Sequence, residues 1–359
     1  MIIHKSFPGG NIQVNRIQGD DVFLVQELRD TEGWWFYWAF CVEGAQGRTV
    51  TFHFENQDVL GYWGPCVSRD DFQYEWLGAE SKLDAQTFRM AFKESDEKVY
   101  FRLSFPYQLH HFERWAQTHA AHPQFQLQTL CSTERHRNIP LAWIGDPQDP
   151  KVVVLAARHH ACESVASYVL EGVADEVIRQ IAALHSFGIK VLLVPFVDLD
   201  GVEGGDQGKS RTPHDHNRDY IDAPIYQSIR ALTTLLESHE LLALVDFHCP
   251  WILGGINDYP SLVKANPEIY SELDRFGEIL KGLSHGKIIY DGLHDVRAGE
   301  DWLPASPTQS TATAFALRLG AKLALTLEFP YFGAEVPITQ NNAIAFGRRV
   351  GEALLKYFE

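Results

Sequence analysis

From Val152 onward the chain alternates apolar strand-like runs with helical stretches, and this alternation narrows its fold more than any other feature. Val152–Ala157, Val191–Phe196, Leu241–Phe247 and Leu323–Phe329 are the strand-like runs, and the first two are apolar on both faces, so they need cover above and below. The stretches 163–185, 224–238, 261–283 and 338–358 follow them and carry helical patterning. Strand and helix taken in turn predict an α/β domain, a helix–sheet–helix sandwich around a mostly parallel mixed sheet. A connecting helix over His110–Ala121 leads into it.

The first hundred or so residues obey another rule. Ile12–Ile17, Val22–Leu28, Trp34–Val42, Arg48–Glu55 and Lys98–Ser104 are short β-branched or aromatic runs, several of them parted by Gly and Asp turns. In Arg48–Glu55 the apolar Val50, Phe52 and Phe54 alternate with polar residues, as a half-buried strand requires. No helical period intervenes, so a small antiparallel β-sandwich is expected over residues 1–107, with the α/β domain over 108–359. A chain of 359 residues suits two domains.

Composition excludes several functions. Thirty-one basic residues against 47 acidic leave a formal charge of −16, which argues against nucleic acid and anionic membrane surfaces as partners. The N-terminal apolar run stops after three residues, too short for an export signal, and no stretch approaches a membrane span of ~20 apolar residues. The five cysteines are widely spaced without a CxxC pair, which suits free thiols in a reducing cytoplasm. Nothing in the sequence bears on oligomeric state.

Ligands of open α/β sheets bind beyond the carboxyl ends of the strands. Four such ends carry chemistry here: Arg158-His159-His160-Ala161-Cys162-Glu163; Asp198 to Gly201 with the loop to His214-Asp215-His216-Asn217-Arg218; Asp246-Phe247-His248; and Glu328-Phe329-Pro330. His160 and Glu163, three apart at a strand-to-helix turn, can grip one ion, and His248 from another strand end would complete the His₂Glu set of catalytic zinc.

ARHHACES, VPFVDLDGVEGG, HDHNRDY, VDFHCP and LTLEFPY, in that order, resemble the zinc carboxypeptidase family. The N-terminal WWFYWAFCV, TVTFHFEN and VYFRLSFPY look like the β-sandwich that precedes the catalytic domain in its cytosolic branch. The resemblance implies a zinc metallocarboxypeptidase with one Zn²⁺ per chain, held by His160, Glu163 and His248. By register His159 is not a ligand. Asp215 matches the carboxylate that orients a zinc-bound histidine. Asn217 and Arg218 match the pair that receives the terminal carboxylate of a peptide, where the planar guanidinium can donate two parallel hydrogen bonds. Glu328 matches the general base and acid, taking a proton from zinc-activated water and returning it to the leaving amine. For the cation that stabilises the oxyanion, Lys209 and Arg211 both stand near the family's arginine, and we take Arg211.

Three departures bear on specificity. The family's HPGE reads His160-Ala161-Cys162-Glu163, with ligand spacing kept and Cys162 expected to be a buried thiol rather than a fourth ligand. Its NPDG reads Asp198-Leu199-Asp200-Gly201. The tyrosine expected about 22 residues before the base is missing, with Ser306 near its place and Tyr290 or Tyr331 as substitutes from elsewhere. The cytosolic branch implies as partner a peptide or protein C-terminal tail, glutamate-rich or γ-linked, and hence a basic pocket residue among Lys264, Arg275, Lys281, Lys287, Arg297, Arg318 and Lys322. Trp251 is a further candidate pocket wall. The aromatics Trp34, Trp35, Tyr37 and Trp38 are expected in the core, and His214 and His216 on a solvated loop. Two other functions fit the motifs less well: a zinc-dependent deacylase of small N-acyl amino acids, and a non-catalytic module that binds peptide tails.

Overall fold

The computed structural model describes residues 1–306 and 308–359. Nine strands form the N-terminal part: β1 (Ile2–His4), β2 (Gln13–Gln18), β3 (Asp21–Val25), β4 (Ala39–Glu43), β5 (Thr49–Phe54), β6 (Cys66–Ser68), β7 (Glu75–Trp76), β8 (Thr87–Ala91) and β9 (Lys98–Arg102). They divide into two sheets, ordered β1-β4-β9-β6-β7 and β2-β3-β5-β8. Val50, Phe52 and Phe54 of β5 are buried between them, as their alternation requires. One pair departs from the expected antiparallel pattern. β3 and β5 are joined through β4 in the opposite sheet, so the chain returns in the same direction and they pair in parallel. Only Ala39–Glu43 of the aromatic run is a strand; Trp34 to Trp38 carry no ladder.

Among the described residues the second part holds α1 (Leu109–His119), a sheet of eight strands and seven further α-helices. The strands are β10 (Phe125–Ser132), β11 (Asn138–Ile144), β12 (Lys151–Ala157), β13 (Ile189–Val194), β14 (Glu240–His248), β15 (Ser261–Lys264), β16 (Val296–Arg297) and β17 (Leu323–Glu328). Their order is β10-β11-β13-β12-β14-β17-β15-β16, parallel from β13 to β17 and mixed at the edges. Both faces are covered. α2 (Val165–Arg179), α3 (Ile181–Ser186), α6 (Tyr270–Leu283) and α8 (Gln340–Phe358) supply residues to one apolar cluster, which also contains the N-terminal core. α5 (Gln227–Glu237) and α7 (Ala312–Arg318) pack on the other face. The short α4 (Leu199–Gly204) follows β13.

Two expected helices are corrected. The stretch 163–185 breaks at Gln180 into α2 and α3. The stretch 261–283 opens as β15, since Ser261–Lys264 pairs with β17 before Pro267 allows a new helical start.

Candidate metal centre and cleft

The central strands deliver the candidate residues to one edge. β12, β14 and β17 are parallel neighbours, and His248 and Glu328 are register partners at their carboxyl ends. Beyond β12 the chain turns through Arg158, whose φ of 62° lies in the left-handed region. Its buried guanidinium donates to the carbonyls of Tyr107 and Ala161, which fixes the loop that carries His160. Gly208 approaches the same loop so closely that a Cβ there would stand 2.1 Å from the Ala161 nitrogen. Its φ of +81° likewise calls for glycine.

Three donor groups converge. His160 Nδ1 lies 3.1 Å from His248 Nδ1 and 3.1 Å from Glu163 Oε1, and His248 Nδ1 is 2.7 Å from Glu163 Oε2. The far nitrogens face carboxylates: His248 Nε2 meets Asp246 Oδ2 at 2.6 Å, and His160 Nε2 lies 3.6 Å from Asp215 Oδ1. A neutral imidazole whose Nε2 keeps its hydrogen and points it at a carboxylate, as His248 does at Asp246, presents a lone pair at Nδ1. Two such lone pairs and a buried carboxylate, pressed together, suit a shared cation. This donor set fits zinc, whose catalytic sites use histidine and carboxylate ligands with one position open.

Asp246 does more than face His248. Its Oδ1 meets His159 Nδ1 at 2.8 Å, and His159 Nε2 meets the Tyr220 hydroxyl at 2.7 Å. A fully buried chain thus runs Tyr220–His159–Asp246–His248. Asn217 Nδ2 adds a bond to Asp246 Oδ2 at 3.3 Å, while its Oδ1 accepts from the Ala312 amide at 3.0 Å.

Glu328 lines the cleft, and its Oε2 is buried without a hydrogen-bond partner among the described residues. Burial, together with the charge of Glu163, raises its pKa above the usual carboxylate range. Arg218 is exposed to the cleft, with one Nη donating to the Asn217 carbonyl at 2.8 Å.

The choice of Arg211 is corrected. Its guanidinium contacts Asp30 at 2.8 Å, Asp198 at 2.6 Å and Asp206 at 3.2 Å, and it is absent from the cleft walls. Lys209 is the residue that enters the cleft, its Nζ 2.6 Å from Glu163 Oε1 and 5.5 Å from the centre of the Trp35 ring. Burial opposes its charge, but Glu163 and Glu328 more than compensate and hold its pKa above the usual range. Two positions decide the outcome: Ser210, between them, has a φ of 50°, and Thr31 bridges Arg211 to the N-terminal part.

Other expectations divide. Cys162 is buried beside the Tyr331 hydroxyl at 3.6 Å, and burial pushes its thiol up to about 12. Tyr290 donates to Asp295, so neither proposed substitute tyrosine lines the cleft. Trp302, Leu303 and Pro304 stand on that wall instead. His216 is not solvated, being stacked on Tyr226 at 3.7 Å, and His214 pairs with Asp219. Trp251 packs on Trp34, Trp35 and Phe36 rather than lining the cleft. Trp35 does line it, a contribution from the N-terminal part that sequence reasoning missed because an aromatic run looks the same in a core. Asp246 was legible in principle, since it precedes His248 by two and so shares its strand face.

Comparison with known proteins bears on the fold. Residues 3–103 match the model of the cytosolic carboxypeptidase N-terminal domain. The whole chain superposes on a metallo-carboxypeptidase from Burkholderia cenocepacia with a TM-score of 0.81 and 19% identity, covering 99% of this chain and 98% of that one. The chain carries a cytosolic carboxypeptidase N-terminal domain and the metallo-carboxypeptidase fold. A metallo-carboxypeptidase from Pseudomonas aeruginosa, solved in complex with (2-guanidinoethylmercapto)succinic acid, gives a TM-score of 0.81 at 18% identity over 100% of both chains. In sequence, cytosolic carboxypeptidase 6 of Caenorhabditis elegans is 24% identical over 291 residues, 69% of this chain and 62% of that protein. Human cytosolic carboxypeptidase 2 is 30% identical over 183 residues, 45% of this chain and 20% of that protein. The chain therefore spans about three-fifths of the first relative and a fifth of the second.

Proposed function

We propose that this chain is a zinc-dependent metallocarboxypeptidase that removes the C-terminal residue of a peptide or protein tail. The observation that carries the reading is one cleft of about 390 Å³ that joins His160, His248, Glu328, Asn217 and Arg218. His160, Glu163 and His248 would hold the ion, with Asp215 and Asp246 behind the histidines. A bound Zn²⁺ supplies Lewis-acid polarisation of the scissile carbonyl and lowers the pKa of water. Arg218 and Asn217 receive the terminal carboxylate and set the scissile bond in register with Glu328. Glu328, raised above the ordinary range by burial and by Glu163, is a better proton acceptor than a solvated glutamate. It accepts the proton of the attacking water at its unpartnered oxygen and returns it to the leaving amine. With Arg218 on the carboxylate, Lys209 is the cation left to offset negative charge on the carbonyl oxygen.

The place of action we propose is the cytoplasm. All five cysteines are free, and among the described residues no helix is long and apolar enough to cross a membrane.

Zinc-loaded protein should release amino acids one at a time from C-terminally free peptides and leave C-terminally amidated copies intact. Glu328→Gln should retain zinc and lose about 10²–10⁴-fold in kcat. Equal activity in the variant, or hydrolysis of N-acyl amino acids in preference to peptides, would overturn the assignment.

A further inference from the structure

We infer that the recess beyond Asn217 and Arg218 selects an uncharged C-terminal side chain and rejects glutamate; this rests on the metallocarboxypeptidase reading. Asn217 Oδ1 accepts the Ala312 amide at 3.0 Å, which brings the start of α7 against the residue that would hold the carboxylate. The walls next to it are Thr311 and Thr313 from that start, Val263 and Ala265 from β15 and its end, and Thr326 from β17. Val263 and Thr326 are register partners across an antiparallel pair, and Thr326 precedes Glu328 by two, so all three share a sheet face. A side chain leaving the substrate's terminal α-carbon meets hydroxyl and methyl groups on this floor.

An acidic side chain needs a cation here, and of the seven basic residues between His248 and Glu328 only Arg318 comes near, lining the adjoining hollow that shares Val263, Ala265, Thr311 and Thr313 with the cleft. The nearest in sequence, Lys264, alternates to the opposite face, where Asp274 and Asp295 each hold it at 2.7 Å. Arg297 is paired with Asp274 at 2.8 Å. Arg318 is spent on two carbonyls, those of Gln309 and Tyr220. The cleft's own cations, Arg218 and Lys209, are committed to the terminal carboxylate and to Glu163. A glutamate side chain in this recess would have hydroxyls but no cation to offset its charge, with Asp215 and Glu328 on the same walls. Glutamine has the same shape and carries an amide that can use hydroxyl partners. The Thr326 hydroxyl has no hydrogen-bond partner among the described residues, which leaves it available to a neutral polar group.

The test is a set of N-blocked tetrapeptides that differ only in the last residue: Gln, Glu, Thr, Val and Lys. Release by the zinc-loaded protein gives kcat/KM, and calorimetry on zinc-loaded Glu328→Gln gives Kd for the same peptides without turnover. Gln, Thr and Val should exceed Glu by at least about 10-fold in both measurements, with Lys as the control for the sign of the charge. Thr326→Arg should reverse the order of Glu and Gln. Glutamate equal to or better than glutamine in the unmodified protein overturns the selectivity and leaves the peptidase assignment standing. Neither cleavage nor binding of any peptide overturns the assignment itself.

Discussion

At the scale of single residues, the meeting of His160, Glu163 and His248 was legible because strand ends and spacing are written in the chain. His160 and Glu163 need only a turn between them, and His248 a parallel neighbour. What could not be read is the direction of side chains in irregular loops. Lys209 and Arg211 are two apart, and a left-handed Ser210 between them sends one to the cleft and the other to three carboxylates. His159 was set aside as a ligand, yet it lies in the chain of buried bonds behind His248. Groups that orient a metal-bound histidine typically matter 10–100-fold to metal affinity. His159→Ala should therefore weaken zinc binding about 10–100-fold, read by competition with a chromogenic chelator. His159→Asn, which can still donate to Asp246, should recover part of it. Unchanged affinity in His159→Ala would reduce that residue to simple packing.

Among elements, the apolar strands and their covering helices followed from pattern, whereas junctions with short strands did not. β15 has only four residues, too few for a period to show, and it was absorbed into the helix that follows. The pairing of α2 with α8 explains how the ligand loop is held from behind. Gly172 and Gly347 face each other, and a Cβ on either would stand within 2.1 Å of a backbone oxygen of the partner helix. On α2, Glu171 accepts the Tyr107 hydroxyl at 3.0 Å, and burial pushes its carboxyl up to about 7. The sign follows from that shift. The folded state keeps this proton while the unfolded chain has lost it, so stability falls as pH rises from the ordinary glutamate range through about 7. Glu171→Gln keeps an acceptor for Tyr107 and removes the ionisation. Denaturant melts should show it more stable by about 1–3 kcal/mol at pH 8, with most of that advantage gone at pH 5. A constant difference at both pH values would show that Glu171 does not titrate in this range.

For the whole molecule, the change in patterning near residue 105 was plain, but the depth of the contact between the two parts was not. One apolar cluster runs from Ile12 and Trp38 through Tyr107 to Val350 and Tyr357. Polar contacts reinforce it, with Arg29 on Asp206 at 2.5 Å and Gln207 bonded to both backbone groups of Tyr37. A chain with a shared core should unfold in one step. Calorimetric and van't Hoff enthalpies are expected to agree, and two resolved transitions would contradict the shared core. The net charge of −16 belongs to the chain as a whole, while the cleft sets Lys209 and Arg218 against Asp215 and Glu328.

The clamp around Arg211 has a bearing on ancestry. Asp30 and Thr31 hold the loop that presents Lys209, and Trp35 supplies a wall of the cleft. A gene that exchanged its sandwich for an unrelated module would keep His160, Glu163 and His248 and lose the loop that aims the ammonium. Recombination between the two halves is thus expected to be punished even when both halves fold, so they should descend as a pair.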